Sequence, residues 1–309
     1  MRLVFMPMQW GSRLFARRPV AKRPALNAVN RFLHRLYVRR QDVRDKRAQV
    51  TRGLSSFPAD WDRHVRSADT PPRQIPQVIW MLWLQGEDAA PPLVQASFES
   101  WRRHNPAWDV IVLDREVLSE HVSLPNFPDH LRMSHIANIV RLQLLARYGG
   151  VWADATTLCL RPLDSWIDSV TPTGFFAFAR PQPLRALATW FVAAEKQSPF
   201  VHAWLRWSRD YVLRYKEPDC YHWMHHTFNW LLRRNRRLRL AWHRTPRISA
   251  RGPHILQRIL DGHLEADAAP TSDEMTRLPL VKLNWKKGYT LRAINLALEA
   301  HDITLEAVR

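Results

Sequence analysis

Glycine is scarce in this chain of 309 residues: there are nine, and only Gly149 and Gly150 lie close together. That excludes G-x-G-x-x-G and the P-loop, whose glycines let backbone wrap phosphates. G-x-S-x-G, H-E-x-x-H and C-x-x-C are also absent, which removes the easily read hydrolase, zincin and redox signatures. The two cysteines, Cys159 and Cys220, are too few for a disulfide framework or a four-Cys zinc site. A reducing compartment is the simpler expectation. No stretch approaches the ~18–20 uncharged apolar residues that span a bilayer. Met1 to Trp10 is apolar but short, broken by Pro7 and followed by arginine rather than a small-residue cleavage site. No secretory signal is expected there.

Apolar residues make up 46% and charged residues 24%, enough for a substantial core in one large domain or two small ones. The net charge of +18 is uneven: residues 1–52 hold 14 Lys/Arg against two Asp, a net of +12. A second run, 231–259, has nine Arg and no acid. A basic tail on a near-neutral body suggests an anionic surface. Within the tail, Val29, Phe32, Leu33, Leu36 and Tyr37 recur at helical spacing, Arg31, Arg35 and Arg39 fall on another face, and Asn27 is a candidate N-cap. Such a helix either lies in a membrane interface or packs on its own domain with its arginines solvated. No RNA- or DNA-recognition motif accompanies the charge, so nucleic acid is not an expected partner.

Residues 53–74 are polar and end in Thr70-Pro71-Pro72-Arg73, which reads as a linker. The continuous apolar run Gln77 to Trp83 predicts a buried strand. Pro91-Pro92 opens a helix to His104, and Asn105-Pro106 ends it. Trp108 to Leu113 is a second strand, and the spacing predicts a parallel βαβ unit. Ser134 is expected to cap a helix to Tyr148 that Gly149-Gly150 terminates. Val151 to Asp154 follows as a strand, and Thr157 to Leu160 continues it or starts another. Phe175–Ala179, Leu187–Ala193 and Val281–Leu283 are further strands; 200–215 and 221–233 read as helical. The alternation indicates an α/β domain over 73–309, preceded by a basic helical extension and linker over 1–72.

The segment His135 to Thr156 carries the chemistry. Its helix, turn and buried strand end in one carboxylate, Asp154, where open α/β sheets bind ligands. The alternative is an Asx-turn aspartate leaving a strand. The run Arg141 to Thr156 matches the pattern R-L-x-L-L-x-x-Y-G-G-x-W-x-D-A-T. It resembles the bacterial capsular polysaccharide synthesis proteins, which are related to glycosyltransferases with the sugar-binding DxD region. Ile75 to Trp80, Trp83-Leu84-Gln85-Gly86 and Ala90-Pro91 resemble the family's opening strand and first loop. Ser100-Trp101-Arg102-Arg103-His104-Asn105-Pro106 matches its S-W-x-x-H-N-P helix end. Thr189-Trp190-Phe191, Tyr221 to Phe228 and Lys282 to Lys286 echo later blocks. The likeness covers roughly residues 73–290.

The resemblance implies a GT-A-like fold: an open, mostly parallel sheet flanked by helices. It implies a nucleotide-sugar-dependent, hexosyltransferase-like enzyme acting on a saccharide or lipid-linked acceptor in surface polysaccharide synthesis. A divalent cation, manganese or magnesium, would sit on Asp154 and neutralise the leaving diphosphate. Arg141 is either a bidentate phosphate clamp or an ion pair that orients Asp154. Donor or acceptor contacts are expected from Trp83, Gln85, Gly86, Asn138, Gly150, Thr156 and His225, with His225 on the acceptor side. Two departures stand out. The second carboxylate of D-x-D is replaced by Thr156, and the frequent Ser-Asp pair is Ala137-Asn138. No carboxylate is placed as a catalytic base, which favours a retaining route. His222 and His226, spaced i, i+4, have metal-ligand spacing but no evident third ligand. The rival reading is a non-catalytic membrane- or polyanion-binding protein on this fold. The expected location is cytoplasmic, peripheral on the inner face of the plasma membrane.

Overall fold

The computed structural model describes residues 28–47, 60–63, 65, 75–123, 131–215, 217–263 and 272–303. The Asn27 cap, the opening segment and most of the 53–74 linker lie outside the described residues. The chain begins with α1 (Ala28–Arg47), followed by β1 (Val78–Leu82), α2 (Pro92–His104), β2 (Asp109–Leu113) and α3 (Arg115–His121). Then come α4 (Met133–Arg147), β3 (Gly150–Ala153), β4 (Thr157–Cys159), α5 (Ile167–Val170), β5 (Phe175–Ala179) and β6 (Leu187–Ala194). The last part holds α6 (Pro199–Arg214), α7 (Trp223–Arg234), α8 (Arg236–Arg244), α9 (Ile255–Leu260), α10 (Ser272–Thr276), β7 (Leu280–Lys282) and α11 (Leu291–Glu299).

Five strands form the central sheet in the order β2-β1-β3-β6-β5. β1 pairs in parallel with both β2 and β3, and the β1–β2 pairing is the one the crossover through α2 requires. β6 runs antiparallel to β3, and β5 antiparallel to β6, so four of the five strands share one direction. The sheet is covered on both faces, which explains its unbroken apolar runs. Ile79, Met81, Val151, Ala153, Phe178 and Phe191 pack with Phe98 and Trp101 of α2. Trp80, Trp152, Phe175, Ala177 and Val192 face the other way, against Leu144 of α4, Trp204 of α6 and Phe228 of α7.

β4 does not extend β3. It pairs antiparallel with β7 in a separate two-stranded sheet, placing Thr157 opposite Lys282. The end of α2 fastens this small sheet. Ser97 Oγ and Trp101 Nε1 both donate to the Thr157 carbonyl, at 2.6 and 2.7 Å. Ser100 Oγ accepts from the Cys159 amide at 2.9 Å, and Asn105 Oδ1 from the Leu163 amide at 2.7 Å. The S-W-x-x-H-N-P run is therefore a brace between two sheets. Cys159 is buried here, and its thiol is pushed up to about 12 by burial.

Three local readings are corrected. Ser134 does not cap α4: the helix starts at Met133, and Arg132 at the cap position makes no side-chain cap bond. Trp61, inside the expected linker, is buried against Trp166 at a ring separation of 5.6 Å. The arginine face of α1, not its apolar face, meets the body. Arg35 forks Asp219 at 2.9 and 3.0 Å, Arg39 reaches the same carboxylate at 2.7 Å, and Asp45 accepts from Arg185 at 2.6 Å. His34 is buried among Trp207, Tyr211 and Trp230, with Nε2 3.0 Å from Thr227 Oγ1. Val29 and Phe32 stay 66% and 65% exposed.

Gly149 and Gly150 hold φ of +73° and +91°, the left-handed region that side chains avoid. At Gly150 an added Cβ would sit 2.5 Å from both Val78 Cγ1 and the Val78 carbonyl oxygen. The turn thus lets β3 enter directly beside β1. Gly150→Ala combines backbone strain with a backbone clash, and we expect a loss of about 2–4 kcal/mol in denaturant unfolding. An unchanged midpoint and slope would show that β3 has another way in.

Candidate functional site

Because β1 and β3 are parallel, their carboxyl ends open on the same edge of the sheet. Asp154 directly follows β3 there, in a tight turn whose Thr157 amide donates to the Asp154 carbonyl at 2.9 Å. A cleft of about 240 Å³ opens at this edge, lined among others by Trp83, Asn138, Arg141, Asp154, Thr156 and His225. Strand alternation puts Trp152 and Asp154 on the same face, the one α4 covers. Trp152 Nε1 donates to Asp154 Oδ1 at 2.8 Å. From α4, Arg141 Nη2 donates to the same oxygen at 2.7 Å. Arg141 Nη1 donates to Asn138 Oδ1 at 3.0 Å, one turn back on the helix. The guanidinium also lies over the Trp152 ring, 4.8 Å from its centroid.

The arrangement is electrostatically lopsided. The Arg141 side chain is 5% exposed and that of Asp154 33%. Burial lowers the Arg141 pKa, and Asp154 opposes that shift. A second cation, Lys282 of β7, lies half-buried close by. Its Nζ donates to Thr156 Oγ1 at 2.6 Å and to the Leu283 carbonyl at 2.7 Å. Burial lowers the Lys282 pKa first, with Asp154 raising it and Arg141 lowering it. Among the described residues no carboxylate lies within ion-pair distance of Lys282. Two cations against one carboxylate leave a site that favours an anion.

The donor set for a divalent cation can be read directly. Asp154 is the one carboxylate among the cleft-lining residues, and its Oδ1 is already shared by Arg141 and Trp152. Oδ2 is the oxygen left for a metal. Magnesium is commonly held by one or two carboxylates together with substrate phosphates. This donor set fits a cation shared between Asp154 and a phosphorylated ligand, not a cage built by protein alone.

The aromatic wall is formed by Trp83 and Trp285, in edge contact at 5.6 Å, with Trp83 Nε1 buried and unpartnered. Opposite lie Tyr221 and His225. The His225 pKa is held well below its usual value, by burial first and then by neighbouring His222, Arg185, His226 and Arg141. Its Nδ1 has no hydrogen-bond partner.

Of the residues expected at the site, the structure brings together Trp83, Asn138, Arg141, Asp154, Thr156 and His225. It does not bring in Gly150, which begins β3 at the opposite end, about 13 Å away along the strand. Gly150 is a packing position against Val78. Gln85 and Gly86 sit in the turn after β1 and are not among the lining residues. Sequence reading missed Lys282 as a functional group. The signal available was a lone lysine between Val281 and Leu283 in an apolar strand.

Comparison with known proteins adds the following. The profile of the capsular polysaccharide synthesis protein family matches residues 34–296. Its match includes most of α1. The chain is 31% identical over 150 residues to an O-glycosyltransferase, braB, of Annulohypoxylon truncatum, covering 41% of this chain and 35% of the relative. It is 31% identical over 148 residues to glycosyltransferase afumC of Aspergillus fumigatus, covering 41% and 38%. The O-glycosyltransferase PaGT of Phomopsis amygdali is 28% identical over 167 residues, covering 45% and 41%. The chain thus spans between a third and about two fifths of the length of these curated relatives. Among solved structures, it is similar to the PaToxG glycosyltransferase at 15% identity and a TM-score of 0.35, covering 77% of this chain and 94% of that one. The R-L-x-L-L-x-x-Y-G-G-x-W-x-D-A-T run and a profile match from 34 to 296 lead to one assignment: the chain belongs to the capsular polysaccharide synthesis protein family.

Proposed function

We propose that this protein is a glycosyltransferase that moves a sugar, a hexose by expectation, from a nucleotide-sugar donor to a saccharide or lipid-linked acceptor in surface polysaccharide synthesis. The observation that carries the reading is Asp154, a lone carboxylate at a strand end, held by buried Arg141 and flanked by half-buried Lys282. The names of the relatives and of the family support it. As the glycosidic bond breaks, negative charge builds on the leaving diphosphate. Preorganised cations at that point stabilise the transition state more than the ground state. Lys282 supplies one such charge. Asp154 Oδ2 is the atom that would hold manganese or magnesium jointly with the donor's phosphates, and such a cation would neutralise the leaving group. Both terminal nitrogens of Arg141 already donate to protein oxygens. That favours the orienting role over the phosphate clamp. Trp83 and Trp285 offer faces for the base or the sugar, and Tyr221 and His225 form the acceptor side.

The second element of the proposal is attachment to an anionic membrane surface, on the cytoplasmic side. With Arg31, Arg35 and Arg39 paired to the body, α1 leaves Val29, Phe32 and Leu33 exposed. The second basic run adjoins this face: Arg233 lies over the Tyr37 ring at 5.4 Å, and Arg234 donates to Asn30 at 3.0 Å. Exposed Arg236, Arg237 and Arg239 continue it along α8. An apolar ridge rimmed by arginine suits the interface of acidic lipid. No helix among the described residues is long and apolar enough to cross a membrane.

Asp154→Asn keeps shape but removes charge, so release of nucleoside diphosphate from the preferred nucleotide sugar should fall by at least ~10²-fold with little change in Tm. Arg141→Lys should bind donor normally, judged by thermal shift with nucleoside diphosphates with and without manganese, and turn over slowly. Wild-type turnover in Asp154→Asn, or no nucleotide that raises Tm, would remove the enzymatic reading. For the membrane, the full chain should co-sediment with vesicles of acidic phospholipid and not with phosphatidylcholine alone. Phe32→Glu with Leu33→Glu should weaken this by ~10-fold or more without unfolding, since both side chains are exposed. Equal binding to neutral vesicles would show that this face does something else.

A further inference from the structure

His226 presents an anomaly away from the cleft. It is fully buried, yet neither ring nitrogen has a hydrogen-bond partner. A buried imidazole left this way forfeits the bonds it would make in water, and such a group calls for an explanation. Its neighbour His225 lines the cleft, while His226 turns toward the buried face of α1. There it meets Asp42, from α1, and Cys220, from the loop before α7. One ligand atom from each of the three lies within 4.8 Å of the other two. His222, the partner expected from i, i+4 spacing, is not in this group.

We propose that Asp42, Cys220 and His226 form a transition-metal site, with zinc the fitting ion, that clips the basic helix α1 to α7. A thiolate, an imidazole and a carboxylate are the three side-chain ligand types zinc takes, commonly in tetrahedral geometry with a fourth position left for water. Bond lengths of ~2.0–2.3 Å place tetrahedral ligand atoms ~3.3–3.8 Å apart, so closure from the observed spread takes small side-chain rotations. The charges suit the depth of the site. Zinc with one thiolate, one carboxylate and a neutral imidazole sums to zero, which a buried position tolerates. Without metal, the Cys220 thiol donates a hydrogen bond to Asp42. On binding, zinc takes the place of that proton, which leaves to solvent. Asp42 also pairs with Lys46 at 2.7 Å, but Lys46 is 74% exposed, and a pair of that kind is weak and easily released. One turn along α1, Asp45 keeps Oδ1 buried and unpartnered while Oδ2 is held by Arg185. Its negative charge reaches His226. That carboxylate is suited to take the second ring N–H of His226, the usual outer partner of a zinc-bound histidine.

The site would also act on the cleft. Cys220 and His226 are each one residue from a cleft-lining side chain, Tyr221 and His225. Fixing the first pair fixes the backbone that aims the second.

The test uses the full chain, stripped with chelator and reloaded with zinc or cobalt(II). Elemental analysis after dialysis should give close to one zinc per chain. Cobalt should produce the near-ultraviolet thiolate-to-metal charge-transfer band and the visible bands of a tetrahedral ion. Cys220→Ser should abolish the charge-transfer band and weaken zinc binding at least ~10²-fold, beyond the effect of losing an outer partner. Asp42→Asn and His226→Gln should each weaken zinc binding, whereas His222→Gln should leave the spectrum unchanged. Chelator should lower the Tm of the wild-type chain and not that of Cys220→Ser. A wild-type chain that takes up no more zinc or cobalt than Cys220→Ser overturns the site, and so does a cobalt spectrum without the thiolate band. A spectrum lost with His222 and retained without His226 overturns it too. The wild-type measurements stand even where a variant does not fold.

Discussion

The contact on which the cleft depends is the ion pair between Arg141 and Asp154. A guanidinium this deep in protein is costly unless a carboxylate answers it, and the 2.7 Å bond to Oδ1 is that answer. Everything around it serves the pair. The parallel registry of β1 and β3 sets Asp154 at the open edge of the sheet. The left-handed turn at Gly149-Gly150 lets α4 fold back over β3, so that a residue thirteen positions earlier meets it. Strand alternation adds Trp152 as a second donor and as a face for the guanidinium. The result fixes one carboxylate oxygen and leaves the other free, with the charge offset by Lys282 from a different sheet.

Thr156 shows how a site lacking the second carboxylate of D-x-D is completed. A carboxylate at that position would face the Lys282 ammonium directly and neutralise it. The threonine hydroxyl accepts a hydrogen bond from Lys282 without cancelling its charge. That leaves Lys282 available to an anionic ligand. Threonine at this position thus leaves the cleft with two cations against one carboxylate.

Where the pattern was local, the sequence was legible. Apolar runs located β1, β2, β5 and β6, because a sheet covered on both faces needs no polar alternation. Gly149-Gly150 and the flanking helix and strand pointed to Asp154, because every link in that inference spans a few residues. What could not be read arose from distant pairings. Lys282 reaches Thr156 only because β7 pairs with β4, more than a hundred positions earlier. Gly150 looked like a ligand position because it belongs to the shared motif, yet its role is close backbone approach to Val78. Periodicity left the apolar stripe of α1 two places, a membrane interface or the body of its own domain. In the structure Val29, Phe32 and Leu33 stay exposed and Leu36 and Tyr37 are half-buried, while the body meets the helix with Asp219, Arg185 and Thr227, partners that lie far along the chain.

Besides buried Val38 and the ring contact of Tyr37 with Trp230, α1 is docked by buried His34 and by ion pairs, and exposed pairs contribute only modestly. Arg39 is half exposed where it meets Asp219. The polar stripe His34, Gln41, Asp42 and Asp45 is also where a metal would add most, since one coordinated ion replaces several weak contacts by directed bonds. The same α7 that receives α1 through His226 offers His225 to the cleft. Through one helix and adjacent histidines, the docked α1 is thus tied to the wall of the cleft.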